Sequence, residues 1–178
     1  MNADRSMAAS LAFHPAWQQK TWGLLPLVAA VAAMDAVRSC LETDVMLKWP
    51  NDLLTPDGKV GGILSEADSG GIVIGCGINL WWAQPVAGAA ALFNHDPGEG
   101  VVLQLAEAWA SRMVTHLDAG VADWPRNSYL EASATIGSSV EWEVGAGLAV
   151  DLSPDGALVV ETDSGRIEVR SGDVHLRR

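Results

Sequence analysis

Lys48-Trp49-Pro50-Asn51-Asp52, Lys59-Val60-Gly61-Gly62-Ile63-Leu64 and Gly75-Cys76-Gly77-Ile78-Asn79 follow one another closely, and their reading decides the fold. Val45 and Leu47 alternate with Met46 and Lys48 as in a half-buried strand. Trp49-Pro50-Asn51-Asp52 ends that strand, because proline lacks an amide donor and Asn-Asp favours a turn. Lys48 is thereby placed at a strand end. Thr55-Pro56-Asp57-Gly58 has turn chemistry between two short extended runs and predicts a hairpin over Leu53 to Ala67. Asp68-Ser69-Gly70-Gly71 then turns the chain into a strand from Ile72 to Leu80. In it Ile72, Ile74, Cys76 and Ile78 share one face, and Val73, Gly75, Gly77 and Asn79 share the other. The first face is core, and the second is nearly bare backbone ending in an amide.

Glycine weakens a strand, so two at alternate positions require close approach by a ligand or by another piece of backbone. A helix packed tightly across the sheet would use the same glycines without touching a small molecule. Charge bears on the choice. The chain has three lysines, and this stretch holds two of them, in a protein with 22 acidic residues against 11 basic ones. Two scarce ammonium groups beside a glycine-bearing sheet suggest a site for an anion, although a lysine before a turn is also commonly just solvated.

The formal charge of −11 disfavours non-specific nucleic-acid binding, which relies on clustered Lys and Arg to displace counterions. The most apolar run, Leu24 to Val37, reads as a core helix too short for a membrane span, with Pro26 and Asp35 inside it. Met1-Asn2-Ala3-Asp4-Arg5-Ser6 lacks the basic and apolar regions of a secretory signal, so the expected compartment is the cytoplasm. Cys40 and Cys76 have no metal-ligand spacing and are expected to be buried small apolar residues.

Outward from the central stretch, Ser10 to His14 reads as a short strand. Leu24, Leu27, Val28, Val31, Met34 and Val37 fall at helical spacing within Trp22 to Ser39, with Pro26 admissible only in the first turn. After an irregular segment from Trp81 to Gly100, Val102, Leu105, Ala106, Trp109, Met113 and Leu117 share one helix face, and a shorter helical piece spans Trp124 to Ser133. From Thr135 the period changes to short runs punctuated by Ser153-Pro154-Asp155-Gly156, Asp163-Ser164-Gly165 and Ser171-Gly172-Asp173, which predicts a small barrel. Val144-Gly145-Ala146-Gly147-Leu148 is expected to join its first two strands. The domains expected are residues 1–134 and residues 135–178.

Lys48-Trp49-Pro50-Asn51-Asp52-Leu53, followed by Gly58-Lys59-x-x-Gly62-Ile63-Leu64-x-Glu66 and Gly75-x-Gly77-Ile78-Asn79, resembles the biotin protein ligases, relatives of the lipoate ligases. The likeness runs from about Ser10 to the C-terminus. It implies an α+β catalytic domain with a mixed, largely antiparallel sheet and helices on one side, closed by a small SH3-like β-barrel. It implies further that biotin is adenylated with ATP and passed to a lysine of a carboxylase carrier domain, with magnesium screening the triphosphate. By this resemblance Lys48 is the catalytic residue and contacts biotin's carboxyl end and the phosphoryl group, where fixed cations stabilise developing negative charge. Lys59 supports it. Gly62, Ile63, Leu64, Gly75 and Gly77 lie along biotin, and Asn79 meets the nucleotide. Asn51 and Asp52 fix the turn that aims Lys48.

Members of the family also carry, ahead of the Ser10 strand, a strand, a helix and a Gly-Arg-Gly-Arg-x-Gly-Arg loop that folds over the adenylate. Asp4-Arg5-Ser6-Met7 is matched to the end of that loop, with Arg5 as a further nucleotide contact. Without the loop, adenylation is expected to be slow or its intermediate leaky, so two other readings stand beside the enzyme. One is a non-catalytic biotin or nucleotide-binding module, or a degenerate subunit completed by another chain. The other is acyl transfer with Cys76 as nucleophile. A sheet with an open edge is compatible with a homodimer.

Overall fold

The computed structural model describes residues 4–68, 70–84 and 89–177. Its first sheet is built from β1 (Arg5–Phe13), β2 (Met46–Lys48), β3 (Asp52–Thr55), β4 (Gly58–Asp68) and β5 (Gly71–Trp81). These pair in the order β1-β5-β4-β3-β2, each neighbouring pair antiparallel. Among the described residues parallel pairing enters only through isolated bridges, Leu47 with Ser133 and Lys59 with Ala89. The β5 alternation is as expected: Ile72, Ile74, Cys76 and Ile78 are buried and the residues between them are not. The strand read from Ser10 to His14 is longer, beginning at Arg5, because Ser6 to Phe13 pairs with β5 along its length.

The first helical region is also longer than the expected Trp22 to Ser39. A 3-10 turn over Gln19–Leu24 leads into α1 (Leu25–Leu41), and the combined stretch is long and apolar enough by composition to cross a bilayer. Burial gives it another role. Leu25, Leu27, Val28, Val31 and Met34 are buried, and so are Ala29, Ala30, Ala32, Ala33 and Ala36, so the helix is enclosed on nearly every side. Pro26 sits in its first turn, where its missing amide costs no hydrogen bond. Glu42 ends it in the left-handed conformation, its amide donating to the Arg38 carbonyl. α2 (Glu99–Ala119) lies against α1 with Leu105, Trp109 and Met113 fully buried, and the Trp109 indole donates to the Ala29 carbonyl at 3.2 Å. Both helices pack on the same face of the first sheet.

α3 (Arg126–Glu131) precedes the second sheet, which comprises β6 (Ser139–Trp142), β7 (Gly145–Leu152), β8 (Leu158–Thr162), β9 (Gly165–Val169) and β10 (His175–Leu176). Its order is β10-β6-β7-β8-β9, antiparallel throughout, with a register shift between Ala149 and Asp151. These five short antiparallel strands form the barrel-type unit expected, and among the described residues no pairing of β9 with β10 closes it. The expected joint at Val144 to Leu148 is corrected. Only Glu143 and Val144 turn, and Gly145 to Leu148 lie in β7. Those glycines mark crowding: a Cβ on Gly145 would meet the Trp142 ring at 2.7 Å, and one on Gly147 would run into the Glu161 carbonyl.

Candidate functional site

The register of the first sheet aligns Ala8 of β1, Gly77 of β5, Gly62 of β4, Asp52 of β3 and Lys48 of β2 in one transverse row. Paired residues share a face, so these five positions form a strip across the sheet on the side away from the helices. A parallel strip holds Ser10, Gly75 and Leu64, and Ser6 stands opposite Asn79. Above the small residues lies a cleft of about 550 Å³ whose walls include Asn51, Lys59, Leu64, Asn79 and Ala89. Leu64 is 74% exposed there, an apolar side chain on the rim. Its exposure suits contact with an apolar ligand.

The two readings of the β5 glycines can now be separated. A Cβ on Gly77 would meet nothing within 4 Å, and one on Gly75 would make only an ordinary contact, 3.5 Å from Ser10 Oγ. No helix crosses this face among the described residues, so the bareness serves the cleft. Gly61 differs. A Cβ there would collide with the Gly77 carbonyl, which makes Gly61 a requirement of strand packing.

At the end of the strip Asp52 holds both lysines. Lys48 Nζ donates to Asp52 Oδ2 at 3.1 Å, and Lys59 Nζ is paired with Oδ1. Lys48 and Asp52 are largely buried, with side chains 21% and 14% exposed, while Lys59 is half exposed. Lys59 lines the cleft, and Lys48 stands one carboxylate behind it. Asn51 fastens the turn to β4: its side-chain amide donates to the Ile63 carbonyl at 2.7 Å, and the Ile63 amide donates to the Asn51 carbonyl at 2.8 Å. Trp49 fastens it to the second sheet. Its amide donates to Thr135 Oγ1 at 2.9 Å, and its buried indole donates to the Gly156 carbonyl at 3.0 Å. Beneath lies Tyr129 of α3, fully buried, its hydroxyl without a hydrogen-bond partner among the described residues and its pKa pushed up by burial and by the Asp52 charge.

The far wall is a strap. The Ala90 amide donates to the Lys59 carbonyl, the Leu92 amide to the Asn79 carbonyl and the Phe93 amide to the Leu80 carbonyl. Asn79 Nδ2 donates to the Ala90 carbonyl at 3.2 Å. Arg5, expected at the nucleotide, instead engages Asp96 just past the strap, with two hydrogen bonds of 2.8 Å, and does not line the cleft. The guanidinium, helped by the Gly98 amide, lowers the Asp96 pKa to about 2. Cys76 is buried as expected, and burial pushes its thiol up to about 12. A nucleophile must be a thiolate, and burial on the core face of β5 disfavours that form, so the geometry does not support acyl transfer through Cys76.

Sequence reading did not single out Ala8, Ser10 or Ala89, nor Asp52 as the partner of both lysines. The alternation of small residues along β1 was a legible signal for the first two. The Ala89 contact and the double pairing depend on tertiary register. Among the described residues no group of three or more His, Cys, Asp or Glu side chains could hold a metal. A second cavity of about 530 Å³, at the far end of the sheet, is lined by His14, Glu66 and Asp68 and by no Lys or Arg, which does not suit an anion.

Residues 1–79 match the Biotin/lipoate A/B protein ligase family, and residues 136–177 match the Biotin protein ligase C terminal domain. The chain is 30% identical over 193 residues to the biotin--[acetyl-CoA-carboxylase] ligase of Paracoccus denitrificans, covering 95% of this chain and 79% of that one. The chain belongs to the biotin protein ligase family. The Mycobacterium tuberculosis protein of the same name is 33% identical over 174 residues, covering 89% of this chain, and the chain spans 64% of that relative's length. Among solved structures, the apo biotin protein ligase of Aquifex aeolicus superposes with a TM-score of 0.81 at 23% identity, over 97% of this chain and 83% of that one. The same protein in complex with biotin and ATP gives a TM-score of 0.79 at 24% identity, over 97% and 78%. These superpositions establish a common fold of helices on one side of an antiparallel sheet followed by a second small sheet.

Proposed function

We propose that the chain is a biotin protein ligase that adenylates biotin with ATP and transfers it to a lysine of a carboxylase carrier domain. The observation that carries this reading is the transverse strip: a floor of Ala8, Gly77 and Gly62 without side-chain bulk, ending in two lysines at a carboxylate-held corner. A flat bicyclic ligand can lie along such a floor, with its carboxyl end toward the cations. Gly62, Ile63, Leu64, Gly75 and Gly77 are assigned to biotin and Asn79 to the nucleotide. The Oδ1 atom of Asn79 makes no hydrogen bond among the described residues, which leaves it as an acceptor for an exocyclic amine.

Lys48 is assigned the principal electrostatic role and Lys59 a supporting one. The biotin carboxylate is nucleophilic at neutral pH, so it attacks the α-phosphorus of ATP without a general base, breaking the α–β phosphoanhydride and releasing pyrophosphate. Charge building on the phosphoryl oxygens is stabilised by fixed ammonium groups. Among the described residues no acidic or histidine cluster offers a metal site, and magnesium in this reading arrives on the triphosphate. Arg5 is read as a tether of the strap. Residues 1–134 are taken as the catalytic part and residues 135–178 as the C-terminal unit. The compartment is the ATP-bearing cytoplasm.

A binding module is the second reading, favoured by one observation: Lys48 and Lys59 already share a carboxylate partner, Asp52. Calorimetric titration with biotin, then with biotin plus ATP, separates the two when combined with a pyrophosphate-release assay. The ligase reading expects binding and release, with release abolished in Lys48→Ala. Unchanged turnover in that variant would refute the role of Lys48, and binding without release would favour the module.

A further inference from the structure

The strip orders its residues Gly77, Gly62, Asp52, Lys48, so a ligand lying on the glycine floor meets the Asp52 carboxylate before the Lys48 ammonium. Asp52 Oδ1 also faces the floor directly, since a Cβ on Gly62 would stand 3.6 Å from it and 3.6 Å from Lys59 Cε. The two oxygens are divided between the two lysines, Oδ2 to Lys48 and Oδ1 to Lys59. An anion that approaches either ammonium therefore displaces, or is repelled by, a carboxylate that is already in place. Pairing through separate oxygens also fixes the two ammonium groups relative to each other, which a single solvated lysine would not achieve.

We infer that Asp52 is the positioning residue of this site: an internal carboxylate that aims Lys48 and Lys59 together and that an incoming ligand anion must exchange for. The inference rests on the proposed reading of the cleft as an anion site, and it deepens that reading by assigning affinity and aim to different residues. The lysines supply attraction. Asp52 limits that attraction in the ground state and holds the ammonium groups where charge develops later, so it moderates binding in favour of turnover.

The test compares wild type with Asp52→Asn and Asp52→Glu in the full chain, each checked for folding by circular dichroism and Tm. The probe is inorganic tripolyphosphate, followed by calorimetry without biotin or nucleotide. Removing one negative charge next to one largely buried and one half-exposed ammonium group should tighten tripolyphosphate binding by about tenfold in Asp52→Asn. Asp52→Glu, which keeps the charge, should stay within about threefold of wild type. If Asp52→Asn does not fold, Asp52→Ser replaces it under the same expectation. A folded neutral variant that binds tripolyphosphate no more tightly than wild type overturns the inference.

The second readout is the division between kcat and KM in pyrophosphate release. Asp52→Asn should lower kcat by about tenfold or more without raising the KM for ATP, because the lysines are freed but no longer aimed. A raised KM with unchanged kcat overturns the aiming role. If wild type releases no pyrophosphate at all, the ligase reading fails while the tripolyphosphate comparison still decides the part played by Asp52.

Discussion

At the residue scale, glycines that look alike in sequence do different work. Gly61 and Gly77 are both strand glycines in the same two-strand pairing, yet a side chain on Gly61 would strike the Gly77 carbonyl while one on Gly77 would meet open cleft. Two opposite outcomes are expected. Gly77→Val adds a β-branched residue where the strand has room, so Tm should hold or rise while biotin affinity drops about 100-fold as the side chain fills the floor. Gly61→Ala should instead destabilise by about 2 kcal/mol through overpacking, with biotin affinity of the folded fraction little changed. Thermal melts and biotin titrations on both variants check this. A Gly77→Val protein that still binds biotin tightly would remove the glycine floor from the site.

At the element scale, the turn carrying Trp49 is held from both sides. Leu47 exchanges backbone hydrogen bonds with Ala132 and Ala134, and Trp49 reaches Thr135 and Gly156. The Gly156 turn in its own right sits on Leu24 and Leu27, close enough that a Cβ there would meet Leu27 Cδ1 at 2.7 Å. The second sheet is thus fastened to the loop that presents Lys48. Trp49→Phe keeps most of the packing and leaves the Gly156 carbonyl without its donor, so it should cost about 1–3 kcal/mol in urea unfolding. It should also lower turnover by loosening the turn. Loss of stability with full turnover would mean that the second sheet does not steady Lys48.

At the scale of the whole molecule, Arg5 joins the start of the edge strand β1 to Asp96, just ahead of α2, and so ties down the segment that follows the strap. Asp96 has a folded pKa of about 2, below its ordinary value of 3.8. A depressed carboxylate contributes stability above its unfolded pKa and loses it as pH falls toward the folded one. The contribution of this tether should therefore be complete above about pH 4 and vanish by about pH 2. Urea melts of wild type and Arg5→Gln should differ near neutrality and converge at the acid end. A difference that persists at about pH 2 would show that Arg5 acts by packing and not by its charge.

Local physics made much of this molecule legible from sequence. The two-residue alternation of β5 assigned its core and cleft faces, Pro-Asn-Asp ended β2 at Lys48, and helical spacing located α1 and α2, because each depends on neighbours a few positions apart. The lengths of β1 and of the first helical region were under-read, since pairing and burial against distant residues extend them. Gly145 and Gly147 were misread as a loop because backbone crowding between strands leaves the same glycine signature as a turn. The lysine-bearing motif was visible as a candidate anion site, but its internal ion pairing was not. Only strand register brings Lys48, Asp52 and Gly62 into one row, only the hairpin between β3 and β4 swings Lys59 onto the same carboxylate, and only the packing of β1 takes Arg5 away to Asp96. The sequence by itself determined which groups could do the chemistry. Tertiary structure decided which of them meet, because electrostatic partners are chosen by distances of a few ångströms that chain separation does not encode.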